Sequence, residues 1–555
     1  MTDLDASASL TPPASAELSL LVDTGSAWTK ASLVARVRGR WRIVASVAQP
    51  TAWGEDALLV TLADRVREGV DPRLAGTVAD LLDATPRIAC RTPARPGRLV
   101  LAAVSHDISG AAARHAAEAA GWVVVEEASA DDGRSLLDRL GVLQAVQADA
   151  WLLVGGFDDA APDQALELAS LVAAARRDDD APGPVLWAGS GRLAEAVAAI
   201  TGPDLTVLPN PRRDEHGGDP EPLRRHLEDL LQQLVEPGGV RQLAPIAFRR
   251  GVAEVARAGG LRTAGIEIGA RYATWVRAEP DGTASGRVFA AGGTASPLLT
   301  MAGVASRVAR HLALPLDELA VADALQNQRA RPAALPQTED ELAVAQGAAR
   351  LRLEQIAADE GGIGNLDLIV GAGRVLACAP APAVAAMLLV DGLRPLGVTQ
   401  LAIDPAGVLA PLGSLPDDEL GEGFAAIAGD AIVPLGTAVV ARGGRAGATV
   451  MRVRVRRAGW GEERFEIRAG QVVVEPLPRG AQAELEIEIA GGASLGTQRR
   501  SVHVHAQASG GSVGLILDAR DVPLRLPRRV DDRRAVLGAW LEAFTAEPAP
   551  RDGSR

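Results

Sequence analysis

Of the 57 basic residues in this 555-residue chain, a single one is lysine, Lys30; all the others are arginine. Cysteine is almost as scarce. Cys90 and Cys378 lie far apart and form no CxxC pair, which excludes a cysteine-ligated cluster held by one chain and fits a reducing, cytoplasmic compartment. Aromatic residues make up 3%, so the core has to be aliphatic. No run of about 18 uncharged apolar residues occurs, and no membrane span is expected. The first residues, "MTDLDASASLTPPASAE", have neither a basic n-region nor an apolar h-region, and residues 1–17 read as a disordered leader. A basic excess is missing too: the net charge of −13 argues against a sequence-independent grip on nucleic-acid phosphates. The length exceeds what one core usually spans, so several domains are expected; composition sets no oligomeric state.

What the chain does contain is an alternation of strands and helices in two halves. "LSLLVDTG" followed by "WTKASLVARVRGRWRIVASVAQP" reads as a hairpin with Asp23 and Gly25 at the turn. Between residues 98 and 210 apolar strands ("RLVLAAVS", "AWLLVGG", "PVLWAGS") alternate with helical patterns, which predicts a mostly parallel sheet with crossover helices. At "TAGIEIGARYATWVRAE" the opening pattern returns. An acid, a Gly two later and an aromatic five later recur 244 residues on, from Asp23, Gly25 and Trp28 to Glu267, Gly269 and Tyr272. This echo points to a duplicated domain with an acidic turn in each half. From about Gly429 strict alternation sets in ("ATVMRVRVRR", "AELEIEIA", "SVHVHAQ"), the signature of antiparallel strands. The expected division is thus a leader 1–17, a first lobe 18–250 with an α/β segment 98–210, a second lobe 251–428, a C-terminal β domain 429–528, and a helix and tail 529–555.

The first turn carries the chemistry. Gly25 and Ser26 allow backbone N–H groups to face outward and cradle an anion. Asp23, at the strand end, is placed to hold a hydrated cation, and Lys30 can reach back as a point charge toward β/γ-phosphates. "VGAGRV", with Gly371 and Gly373, offers a second backbone that a nucleoside can approach closely. Read alone, each is also met in ordinary structure, since a hairpin with a solvated lysine needs no ligand. Together, in duplicated α/β halves, they point to a nucleotide between two lobes.

D-x-G-S-x-x-T-K, E-x-G, and G-x-G after a buried strand resemble the nucleotide-contacting elements of the actin/Hsp70/sugar-kinase ATPase superfamily. Within it, "LLVDTGSAWTKASLV", "ADAWLLVGGFDD", "LDLIVGAGRVLA" and "LLVDGLRPLGVTQLAIDPAGVLAPLGSL" are similar to the MutL/GlmL family, accessory proteins of adenosylcobalamin-dependent glutamate (methylaspartate) mutase. The resemblance covers roughly Leu18 to Leu435. It implies duplicated actin-like (ribonuclease H-like) lobes, ATP or ADP with Mg2+ as cofactor, and B12-dependent mutase subunits as partners of a reactivating factor. It also implies roles: Asp23, Gly25, Ser26, Thr29 and Lys30 as the first phosphate loop, with Asp23 meeting the metal through water, and Gly371 and Gly373 at the adenosine. Glu267 and Gly269 stand where relatives carry D-x-G-G-x-T-T-D, and this departure puts ATP hydrolysis in question. A pseudo-ATPase scaffold and a small-molecule kinase are the alternatives.

Other residues invite a role and have plain readings. Asp158 and Asp159, after Gly155-Gly156, suit a catalytic or metal-water position or the acidic start of a helix. His106 and Asp107 follow a strand in "VSHDISG". His503 and His505 share one strand face without further ligands at metal spacing. "RVRVRR" (452–457) alternates as an exposed strand face. No Gly-x-Ser-x-Gly elbow occurs, and the sequence reveals no cobalamin ligand.

Overall fold

In the computed structural model of the chain, two sheets repeat one strand order, and a separate parallel sheet is inserted in the first half. The structure describes residues 18–68, 78–158, 162–176, 183–235, 242–290, 301–457, 461–490, 492–496 and 503–546. The leader, Asp159 and the last residues of the tail lie outside them.

The first sheet is built from β1 (Leu18–Thr24), β2 (Trp28–Val37), β3 (Arg40–Pro50), β4 (Arg87–Arg91) and β10 (Gln242–Leu243), in the spatial order β3-β2-β1-β4-β10. β1 and β2 are antiparallel, as are β2 and β3, whereas β4 and β10 run parallel to β1. Between β4 and β10 the chain leaves to make a separate five-stranded parallel sheet. Its strands are β5 (Gly97–Ala103), β6 (Trp122–Ser129), β7 (Ala150–Val154), β8 (Val185–Ala188) and β9 (Thr206–Leu208), ordered β6-β5-β7-β8-β9. Every residue of β7 and β8 is buried, as the unbroken apolar runs "AWLLV" and "VLWA" require of strands covered on both faces.

The second large sheet repeats the first. β11 (Thr263–Ile268), β12 (Tyr272–Ala278), β13 (Ala284–Ala290), β14 (Leu368–Ala372) and β15 (Gly397–Ile403) lie in the order β13-β12-β11-β14-β15, with the same pattern of antiparallel and parallel neighbours. The lobes are therefore duplicated, actin-like and α/β. They join where helix Ala244–Gly259, which follows β10, packs on helix Leu409–Gly413, which follows β15. Contact is backbone to backbone: a Cβ on Gly251 would stand 2.4 Å from the Leu409 carbonyl oxygen, and one on Gly413 1.9 Å from that of Ala247. Phe248, Val252, Leu409 and Phe424 fill the junction with Leu21 and Val34 of the first sheet.

The C-terminal strands do not stand apart. β16 (Val433–Val440), β24 (Gly514–Asp518) and β20 (Val472–Glu475) extend the second sheet beyond β15. The continuous apolar run "GLILD" of β24 is buried throughout, as a central strand must be. β17 (Arg442–Gly443) pairs with β22 (Ala493–Ser494). β18 (Thr449–Arg457), β19 (Gly461–Arg468), β21 (Gln482–Ile489) and β23 (His503–Ser509) form the expected antiparallel sheet, ordered β19-β18-β21-β23. On its exposed face Arg454 pairs with Glu486 and Arg456 with Glu462, so the arginine stripe is neutralised across strands. Under the extension lies a buried ion network, in which Asp518 meets Arg394 and Arg520, and Asp391 meets Arg520 and Arg350. Helix Val530–Thr545 closes over it, with Trp540 against Arg520. Among the described residues no helix is long and apolar enough to cross a membrane.

Candidate functional site

The two turns singled out by the sequence are the same structure made twice. Asp23 pairs in register with Lys30, and Glu267 with Thr274. Gly25 N–H donates to the Trp28 carbonyl (3.1 Å), and Gly269 N–H donates to that of Tyr272 (2.8 Å). A Cβ on Gly25 would stand 2.5 Å from the Trp28 oxygen, which explains the glycine without any ligand.

Across the junction the turns meet on one ammonium. Lys30 Nζ lies 3.0 Å from Asp23 Oδ2 on the neighbouring strand and 3.9 Å from Glu267 Oε1 of the other lobe. Asp404, just beyond β15, adds a third carboxylate acting on it. Asp404 is 1% exposed, and its oxygens accept from the N–H groups of Gly407 (2.8 Å), Val408 (3.1 Å) and Leu409 (2.8 Å). It thereby starts the helix that joins the lobes. Sequence reasoning missed Asp404. The signal was Asp-Pro-Ala-Gly between a buried strand and an apolar helix, a capping pattern.

The electrostatics follow from one cation among two buried acids, Asp23 and Asp404, and the half-buried Glu267. Burial alone would lower the Lys30 pKa, but Asp23 and Glu267, helped by Asp404, raise it well above the usual ammonium value. Burial pushes Glu267 up to about 7, because Lys30 cannot offset both desolvation and the nearby Asp23 and Asp404 charges. The two shifts agree: the ammonium keeps its charge through Asp23, and Glu267 is the acid left short of a partner. Burial likewise raises Asp404 against the pull of the three N–H groups and Lys30. Cys90, on β4 beside Asp23, places its thiol 3.6 Å from Asp23 Oδ1, and burial holds it protonated.

The remaining expected residues divide. Thr29 is turned away from Lys30, as period-two alternation along β2 dictates, and its hydroxyl bonds Thr51 at 3.0 Å. It braces the turn, since Thr51 in turn donates to the Gly25 carbonyl at 2.8 Å. Ser26 lies half-buried at the turn and Gly269 is exposed at its own. Gly371 lies near the end of β14 and Gly373 follows it, beside the second turn. Gly373 has φ +93°, and a Cβ there would stand 2.2 Å from the Ile268 carbonyl oxygen. Immediately after it, Arg374 stacks over Trp28 of the first lobe at 3.7 Å. The Arg374 Nε is buried without a hydrogen-bond partner among the described residues. Asp158 is not brought to Lys30: it lies in the turn after β7 of the separate parallel sheet, exposed, held by Asn210 at 2.9 Å. Among the described residues no group of three or more His, Cys, Asp or Glu is placed to hold a metal ion, His503 and His505 included. A cavity of about 630 Å3, lined by Ser19, Arg87, Glu228, Gln242 and Glu419, opens at the opposite end of β1 from Asp23.

Residues 19–252 match the MutL protein family model. The match spans the first turn, Lys30 and the whole α/β segment, and agrees with the resemblance read from "LLVDTGSAWTKASLV" and "ADAWLLVGGFDD". No curated protein matches the chain at a significant level. Among solved structures, the nucleotide-free structure of acetone carboxylase is 12% identical, covers 81% of this chain and 81% of its own, and has a TM-score of 0.31. Gluconate kinase from Lactobacillus acidophilus is 11% identical over 73% of this chain and 91% of its own, with a TM-score of 0.26. Plasmodium falciparum glycerol kinase with ADP is 11% identical over 72% and 89%, also with a TM-score of 0.26.

Proposed function

We propose that this chain binds ATP or ADP with Mg2+ between its lobes and serves as an accessory, reactivating factor for a B12-dependent mutase such as glutamate mutase. One observation carries the nucleotide reading: the lone ammonium of Lys30 stands between the acids of two equivalent turns, 3.0 Å from one lobe's and 3.9 Å from the other's. The donor set suits a metal-bound polyphosphate, because the Lys30 ammonium matches phosphate oxygens and Asp23 beside it could accept from a metal-bound water. The orphaned Arg374 Nε beside Trp28 supplies a donor on the nucleoside side. Lys30 would meet the phosphates, Asp23 a metal-bound water, and the Gly371–Gly373 turn with Trp28 and Arg374 the nucleoside. The metal would supply charge neutralisation of the phosphates. Because Lys30 and the Trp28–Arg374 stack each join the two lobes, occupancy would shift lobe closure, and a partner that prefers one closure state would feel the nucleotide. The partner's identity rests on the resemblance to the MutL/GlmL family, and the family match over residues 19–252 supports that resemblance without naming a partner.

Calorimetric titration of the full chain with ADP and with ATP, in Mg2+, tests the first half. Binding at micromolar to millimolar affinity, lost in Lys30→Met, is expected. Absence of heat and of any thermal shift would favour the scaffold reading, which the crowding of Lys30 against the Gly407 backbone supports. Release of inactivated cofactor from purified mutase on adding protein and Mg–ATP tests the second half. Persistence of that cofactor would overturn it.

A further inference from the structure

The cavity of about 630 Å3 at the amino end of β1 draws its walls from both lobes. Helix Glu221–Val235 supplies Asp229, β4 supplies Arg87 and Ala89, and helix Asp417–Ala431 of the second lobe supplies Glu419. Its volume is that of a ligand site rather than of a packing defect. Arg250 ties the two walls together. It donates to Gln242 Oε1 of the first lobe (3.2 Å) and, across the joint, to the Leu415 carbonyl (2.7 Å) and Asp417 Oδ1 (2.6 Å). The opening is therefore formed before any ligand arrives.

One wall is an unfinished strand edge. β4 pairs with β1 in parallel register, Leu20 opposite Arg87, and the Leu20 N–H donates to the Pro86 carbonyl at 2.8 Å. Main-chain polar groups alternate between the two sides of a strand, so Pro86, Ile88 and Cys90 serve β1, while Arg87, Ala89 and Arg91 face the other side. There β10 covers only Cys90 and Arg91. The Arg87 N–H and carbonyl and the Ala89 N–H thus meet the cavity with no strand beside them among the described residues. Such a row of groups is a template for one more strand.

The ions that already have partners settle the charge of the cavity. Arg87 pairs with Glu55 (3.0 Å), Arg249 with Glu228 (2.5 Å), Arg250 with Asp417 (2.6 Å), and Arg224 with Glu221. Asp229 and Glu419, one from each lobe, are exposed and have no ion pair among the described residues. The lining therefore disfavours an anion and attracts a cation. Free main-chain donors and acceptors beside two unpaired acids match a ligand that carries amides and a positive charge together. We propose that the cavity receives an extended basic segment of a partner protein, which adds as a strand to the edge of β4 and sets a lysine or arginine against Asp229 and Glu419. Main-chain hydrogen bonds supply the affinity, and the two acids supply the preference for a basic side chain. The site lies at the opposite end of β1 from Asp23 and stands independently of the nucleotide reading.

Fluorescence anisotropy of two labelled pentapeptides, Val-Arg-Val-Arg-Val and Val-Glu-Val-Glu-Val, titrated with the full chain tests this. The basic peptide should bind at micromolar to millimolar affinity, and the acidic one should not. Ala89→Pro removes one edge N–H without touching the bonds to β1, so it should fold and weaken binding about 10-fold. Asp229→Lys combined with Glu419→Lys should transfer binding to the acidic peptide. Circular dichroism and melting establish that each variant is folded, and the charge-reversed chain carries the test if Ala89→Pro is not. No binding of the basic peptide, equal binding of both peptides, or its displacement by an equal concentration of spermidine would overturn the proposal. So would unchanged binding in folded Ala89→Pro or in the charge-reversed chain.

Discussion

Replacing Glu267 by Gln probes the charge balance around Lys30 directly. Asp23 takes the short pairing at 3.0 Å, leaving Glu267 at 3.9 Å with a share of one ammonium and two acidic neighbours. Burial, only partly offset by Lys30, raises its pKa from 4.5 to about 7. Between those values the folded protein binds more protons than the unfolded chain, so stability falls as pH rises through the window. The loss is absent below about pH 4.5 and complete above about pH 7. At 1.36 kcal/mol per pH unit it amounts to about 3 kcal/mol. Glutamine keeps the shape of the neutral acid, so Glu267→Gln should be about 3 kcal/mol more stable than the wild type at pH 8. The gap should close toward pH 5. Urea unfolding at several pH values, read by tryptophan fluorescence, measures both quantities. A variant less stable than the wild type at pH 8, or a difference that does not change with pH, would refute the account of Lys30 as a cation shared among three acids.

Three further substitutions separate backbone geometry from charge. Gly373→Ala should cost about 3 kcal/mol, since the left-handed φ and a Cβ 2.2 Å from the Ile268 carbonyl both resist it. Gly371→Ala meets the end of the Leu376 side chain instead and should cost about 1 kcal/mol; equal losses in urea unfolding would contradict the distinction. Asp518→Asn leaves Arg394 and Arg520 buried without their shared acid and should cost about 3–5 kcal/mol at pH 7. Although burial opposes ionisation, the two guanidinium groups hold the Asp518 carboxyl far below its ordinary 3.8. Its stabilisation is therefore present above that pH and lost on further acidification, and the difference between wild type and variant should shrink in acid.

Much of the architecture was legible because the pattern was redundant. In 98–210 each strand is an unbroken apolar run and each crossover an amphipathic one, and the parallel sheet followed. The echo of Asp23-Thr24-Gly25 in Glu267-Ile268-Gly269 was legible because the turn needs an acid-bearing strand end and a residue without Cβ. Thr29 was misplaced although its signal was available: one residue from Lys30 on a strand, it had to face the other way. The attachment of β16, β20 and β24 to the second sheet was hidden in part by the alternating strands between them. The doubly buried "GLILD" was the one clear sign of a central strand. Asp404 lay beyond local reading, because its link to Lys30 exists only once two helices that follow equivalent strands pack backbone to backbone.

The same packing explains why one lysine stands among so many arginines. A Cβ on Gly407 would lie 2.5 Å from Lys30 Cδ and 2.7 Å from Nζ, so the side chain threads against bare backbone to reach three acids. A slim methylene chain ending in a compact ammonium fits that path, whereas a planar guanidinium needs room on both sides and fixed donor directions. Gly407 itself has φ +68° and follows Asp404 in the loop that Asp404 caps. The residue that anchors the interlobe helix therefore also shapes the channel for the residue that joins the lobes.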